Sequence, residues 1–160
     1  MRLYLVVLLV LSACGGSPTS PGSIQSHLDT TTADLKVNGV TIQAGSTTSV
    51  NVGSRVDFRV DYTNNSGRFL HTAIVLVRED GVERLLNCSV SGSGGQGGGS
   101  GVGSTVNTDD RGHTLRALLL GAYGPGSQGP PPQCLLQTAG FQVNHANVQA
   151  QRLLVTLTVQ

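Results

Sequence analysis

A chain of 160 residues suffices for one domain of ordinary size and falls short of two. Ten Lys plus Arg against nine Asp plus Glu leave a formal charge of +1, too balanced to track a phosphate backbone, so the composition excludes nucleic acid as a partner. Hydrophobic residues at 38% are too few for a polytopic membrane protein and too many for a wholly disordered chain, and 4% aromatics without Trp leave little to stack on sugars or bases.

Met1 and Arg2 make a cationic start, and residues 3–11 form an unbroken apolar run with Tyr4 as its one polar-tipped member. The run has the length of a signal h-region and is too short to cross a bilayer as a helix. It ends in Leu11-Ser12-Ala13-Cys14, an aliphatic residue, two small residues and a cysteine. This ending resembles the lipobox of bacterial lipoproteins. The resemblance implies a signal peptide over residues 1–13, cut between Ala13 and Cys14, with a diacylglycerol on the Cys14 thiol and an acyl group on its new amine. The membrane is then a partner through the anchor, each buried methylene contributing about 0.8 kcal/mol. Gly15 stands where the inner-membrane retention signal of such lipoproteins places Asp, so the resemblance implies outer-membrane sorting, periplasmic or surface facing. The alternative is an ordinary secretory signal in which Cys14 is incidental. Removing Arg2 from the ten cationic side chains leaves nine against nine acidic ones, and nothing electrostatic then draws the mature chain to anionic lipid.

Residues 14–33 read as a lipid-anchored flexible tether, because the Gly, Ser, Pro and Thr that dominate 15–26 cannot bury enough surface to order themselves. From Asp34 to residue 160 the apolar period is two, which predicts strands. Leu35 and Val37, then Asn38-Gly39, then Val40 and Ile42 form a two-residue hairpin signal. Over residues 55–62, Val56, Phe58, Val60 and Tyr62 face one way and Arg55, Asp57, Arg59 and Asp61 the other, one face core and one water. Residues 70–77 contain the continuous apolar run 73–77, the mark of a strand covered on both faces. Further strands are expected at 82–88, 105–108, 113–120, 139–143 and 152–159.

Seven to nine short strands with turn signals between them predict an all-β sandwich or small barrel. The segments Val50-Asn51-Val52-Gly53-Ser54-Arg55-Val56-Asp57-Phe58 and Asp110-Arg111-Gly112-His113-Thr114-Leu115-Arg116-Ala117 resemble the second and penultimate strands of bacterial immunoglobulin-like domains. The resemblance implies a single immunoglobulin-like β-sandwich over residues 34–160. It carries architecture only, since the Trp and disulfide spacing of antibody domains are missing.

With Cys14 assigned to lipid, Cys88 and Cys134 remain as an even pair, and a disulfide is the natural reading in an exported chain. The alternative is two free or metal-bound thiols, which no CxxC or neighbouring His supports. Residues 91–104, with eight glycines and four serines, read as a Gly-rich loop within the bridge; no Gly-Lys-Ser/Thr makes them a phosphate loop.

Chemistry-bearing motifs are few. His27, His71, His113 and His145 stand singly, and no G-x-S-x-G elbow occurs. Asp109, Asp110 and His113 share one loop and could together hold a divalent cation or serve hydrolysis, although an acidic turn before a strand is the much commoner explanation. Tyr123 is the aromatic expected on an exposed loop, and residues 152–159 could accept a partner strand if they lie at an edge. The leading expectation is a lipid-anchored cell-envelope protein with a noncatalytic interaction, adhesion or assembly domain, its partner an envelope or surface protein and no cofactor called for. The alternative is a metal-dependent or hydrolytic envelope enzyme using Asp109, Asp110 and His113.

Cys14→Ser is expected to abolish incorporation of labelled palmitate; unchanged labelling in that variant overturns the lipobox assignment.

Overall fold

A computed structural model describes residues 23–92, 97–125 and 133–160. The signal peptide 1–13, the cleavage pair Ala13 and Cys14, tether residues 15–22, the centre of the Gly-rich tract and Pro130-Pro131-Pro132 lie outside the described residues.

The chain forms helix α1 (Ile24–Thr30) and strands β1 (Thr32–Val37), β2 (Val40–Ile42), β3 (Thr47–Val50), β4 (Arg55–Thr63), β5 (Phe69–Arg78), β6 (Glu83–Ser91), β7 (Gly97–Thr105), β8 (Thr114–Gly124) and β9 (Ala150–Val159). They build an all-β sandwich of two sheets, ordered β2-β1-β4-β7 and β3-β9-β8-β5-β6. All pairings are antiparallel except β3 with β9. The β9-β8-β5 centre, extended by β6, faces β1-β4-β7.

The alternation of β4 is realised as read: Val56, Phe58, Val60 and Tyr62 are buried between the sheets, while the charged row faces water. The hairpin is also as read, with Asn38 (φ 49°) and Gly39 (φ 81°) in the left-handed conformation that a tight β-turn of this hand requires. On the outer face, Asp34 lies directly across from Arg59 and Lys36 from Asp57, and in-strand pairs Asp34–Lys36, Arg55–Asp57 and Arg59–Asp61 complete a compensated surface.

β5 is buried throughout its central run. Leu70, Ile74 and Leu76 enter the core between the sheets, whereas Ala73, Val75 and Val77 face the other way, into a second core. Leu120 and Ala122 of β8 join them, and Leu136 and Val143 from the β8–β9 connection close over the top. The Cys88–Cys134 disulfide fastens this covering layer to β6.

Four expectations are corrected. The second half of the tether is folded: Ser23 caps α1 by accepting from Ser26 N–H at 3.1 Å, and Leu28 is fully buried against Gly121, where a Cβ would stand 2.9 Å from a Leu28 methyl. Residues 97–104 of the Gly-rich loop belong to β7, paired along its length with β4. Closeness constrains Gly98, where a Cβ would sit 2.6 Å from the buried Tyr62 ring, while those on Gly99 and Gly103 would meet at that distance only the movable ends of Asp61, Arg55 and Asp57. Residues 139–143 make a tight turn in place of a strand, Phe141 N–H donating to Thr138 O at 3.1 Å and Thr138 N–H to Gln142 O at 2.9 Å. Finally, β9 is no edge: β3 pairs with its end, and α1 lies along its start, with Arg152 donating to the Leu28 carbonyl at 3.0 Å.

The disulfide closes a loop with a sequence separation of 46, for which chain entropy predicts about 4 kcal/mol of stabilisation. Replacing both Cys88 and Cys134 with Ala is expected to lower unfolding free energy by roughly that amount in urea titration; an unchanged midpoint overturns the assignment of the covering layer to the bridge.

Candidate functional site

At one end of the sandwich, the β7–β8 connection carries Asp109, Asp110 and His113. The structure gives the side chains of Asp110 and His113 different partners and uses Asp109 through its backbone. Asp110 is buried, and its Oδ2 accepts from Arg84 Nη2 at 2.6 Å and from the Asn107 backbone N–H at 2.9 Å, so it caps its own turn. His113 Nδ1 lies 3.1 Å from Glu79 Oε1, and the other Glu79 oxygen accepts from Thr114 N–H at 3.3 Å. Asp109 contributes its backbone carbonyl to Arg78, at 2.8 Å. Arg78 also forks onto Asp80. The hydrogen bond from Arg78 holds Asp80 down at about 2, and the one from His113 holds Glu79 below the ordinary carboxylate value. Asp80, Asp110 and His113 are therefore matched to Arg78, Arg84 and Glu79. Among the described residues, no three His, Cys, Asp or Glu side chains converge to hold a metal.

At the opposite end, Tyr123 is 7% exposed, against the expectation of a free loop aromatic. It is the penultimate residue of β8, with its hydroxyl 3.0 Å from His27 Nδ1 and the Arg68 guanidinium 5.1 Å above its ring. Asn64, fully buried, knits the adjacent loops by donating to the carbonyls of Arg68 (2.7 Å) and Gly92 (2.9 Å) while accepting from Ser66. Its sequence context, Asn64-Asn65-Ser66-Gly67, signals a turn and gives no sign of the cross-loop role.

The covering layer on the outer face holds the features that sequence reasoning missed. His71, on β5, is fully buried beneath it. Leu135 N–H donates to His71 Nδ1 at 3.2 Å, which places the ring proton on Nε2, where it donates to the Pro125 carbonyl at 3.1 Å. One imidazole thus holds both Pro125 and Leu135 to the sheet. Beyond the disulfide, His145 pairs with Glu83 at 2.7 Å. The turn between these fastenings carries Phe141, 77% exposed with φ 58°. A bulky residue in that conformation is an outlier, and exposure of its ring adds a second cost. Phe141 and Val143 border a cleft of about 710 Å³ that also meets Leu85 and Leu86 of β6 and Ser104 and Thr105 of β7. Only the alternation of β6 could have pointed to this cleft, and that strand reads as ordinary.

The sequence matches no family model and no curated protein.

Burial pushes the pKa of His71 below the ordinary 6.5, and that of His27 likewise. Protonation of His71 must occur on Nδ1, the atom that accepts from Leu135. Because the folded state favours the neutral ring, its contribution is complete above about pH 6.5 and is lost as pH falls below that value toward the folded pKa. Unfolding midpoints should therefore drop between about pH 7 and pH 5, and His71→Gln should flatten that slope while costing about 1–2 kcal/mol at pH 7. An unaltered slope in the variant overturns the role of His71 as the fastening.

Proposed function

We propose that this chain is a lipid-anchored protein of the bacterial cell envelope, sorted to the outer membrane, whose immunoglobulin-like sandwich is a noncatalytic interaction module. The anchor rests on the lipobox resemblance of Leu11 to Cys14, and the compartment agrees with the Cys88–Cys134 disulfide. The observation that carries the interaction reading is Phe141. Its ring is held in water on left-handed backbone, at the tip of a turn bounded by a disulfide on one side and the His145–Glu83 pair on the other. Exposed aromatics on rigid supports act as binding anchors because they bring large apolar area at small entropic cost. Asp110 is held by Arg84 and His113 by Glu79, which supports a structural role for both.

Cell fractionation tests the anchored half of this reading: the wild-type chain should sediment with outer membrane and Cys14→Ser should appear in the soluble envelope fraction. Recovery of the wild-type chain as a soluble protein overturns it. The noncatalytic half predicts that Asp109→Asn and His113→Ala leave cellular function intact; loss of function in either variant with the fold preserved favours the enzyme alternative.

A further inference from the structure

Helix α1 has only seven residues, too few to persist in water alone, so its docking on the sandwich is what keeps it formed. That docking has few parts. Leu28 fills the space left by Gly121, Arg152 donates to the Leu28 carbonyl at 3.0 Å, and Gln25 donates to the Gln151 carbonyl at 3.1 Å. His27 supplies the rest, and its surroundings suit a neutral ring.

The imidazole stands edge-on to the rings of Tyr62 and Tyr123, with centroids 6.4 and 6.1 Å away. Its Nδ1 shares a hydrogen bond with the Tyr123 hydroxyl at 3.0 Å, while Nε2 is buried with no partner. The charged groups around it are cations. Arg68, from the β4–β5 loop, lies over the Tyr123 ring, and Arg152, from β9, holds the α1 carbonyls. β4 contributes Tyr62 and the Thr63 carbonyl, which favours a charged ring less than burial opposes it. Asp61, next to Tyr62, is turned to the outer face and held by Arg59. Asp29 of α1 lies on another side of the helix, where it accepts from Gln25 at 2.9 Å. Among the described residues no carboxylate therefore pairs with His27. A proton on the ring would put a charge near two arginines and leave a charged N–H without a well-placed acceptor. The helix C-terminus, which would otherwise favour an imidazolium, is already occupied by Arg152.

We propose that α1 is a proton-released clasp, docked while His27 is neutral and freed from the paired sheets when the ring takes up a proton. Docking favours the neutral ring, so the clasp has its full strength above about pH 6.5. Below that value it weakens by up to about ten-fold per pH unit, down to the pKa of the docked ring. Where the chain is anchored at Cys14, release adds up to about 3.3–3.6 Å of reach from the membrane for each freed residue. That consequence rests on the anchored reading, whereas the clasp itself does not.

The test is hydrogen exchange of the full-length chain in detergent at about pH 7.5, 6.5 and 5.5, corrected for intrinsic rates. The amides of His27 and Thr31, which donate to the Ser23 and Leu28 carbonyls, should lose about three- to ten-fold of their protection over the lowest unit. Phe58 and Val60 in β4 should keep theirs. In His27→Gln, which still offers Tyr123 a partner and takes no proton, α1 should be held equally at all three values. His71→Gln should leave the α1 response intact, which separates the clasp from the covering layer. A parallel loss in β4, a response that persists in His27→Gln, or one that vanishes in His71→Gln overturns the proposal. If α1 of His27→Gln does not dock, the imidazole titration of the wild-type chain decides. The signal missing from the variant's spectrum belongs to His27, and a midpoint at or above about 6.5 overturns the clasp. Release of α1 in a chain that takes up no palmitate overturns the anchor and leaves the clasp standing; an anchored chain whose α1 ignores pH does the reverse.

Discussion

Two-sided burial of β5 is the constraint on which the rest of this molecule depends. A sandwich needs each strand to be apolar on one face only, and β5 carries Ala73, Val75 and Val77 on the face turned away from the other sheet. That surface has to be covered. The β8–β9 connection covers it, running across the sheet where a short hairpin would have sufficed to join neighbouring antiparallel strands. The covering layer contributes few large apolar residues, chiefly Leu136 and Val143, so packing alone holds it weakly. The disulfide to β6 and the His71 bridge to β5 supply what packing lacks. With the His145–Glu83 pair to β6, these attachments make the layer a fixed part of the fold.

The other sheet solves the opposite problem. Its outer face is polar and open to water, and the charged side chains of β4 lie flat across the neighbouring strand. Gly99 and Gly103 make that possible by leaving the space that Asp61, Arg55 and Asp57 occupy. Exposed ion pairs of this kind contribute at most about 1 kcal/mol each. Their larger effect is on solubility and register. Opposite charges stand directly across from one another between β1 and β4, so a shift of one residue would turn charges inward and apolar residues out.

Much of this was legible in the sequence wherever a strand has one wet and one dry face. The alternation of Val56, Phe58, Val60 and Tyr62, the Asn38-Gly39 turn and the unbroken run of β5 each correspond to an element in place. Three features were hidden, for separate physical reasons. α1 is held by a Ser23 cap, by one buried leucine and by Arg152, which reaches back from the far end of the chain, so its support is tertiary. β7 has no side-chain periodicity to detect, because its glycines answer to the neighbouring strand. Phe141 sits in a run that reads as a strand, and its left-handed conformation follows from the short turn that Thr138 and Gln142 close around it. The grouping of Asp109, Asp110 and His113 was visible as a loop, but the partners of Asp110 and His113, Arg84 on β6 and Glu79 in the turn after β5, are remote in sequence.

The glycines of β7 also bear on how an open edge can persist in a folded protein. An unprotected edge is ordinarily an aggregation hazard because backbone pairing and apolar side chains act together. Here the two are separated. The edge offers hydrogen bonds with almost no apolar area, and each such bond is worth only about 0.5–1.5 kcal/mol net, against about 1–2 kcal/mol of backbone entropy for every residue an incoming strand must fix. Pairing with β7 alone is therefore close to neutral or unfavourable. Glycine at the edge thus withholds affinity from indiscriminate partners.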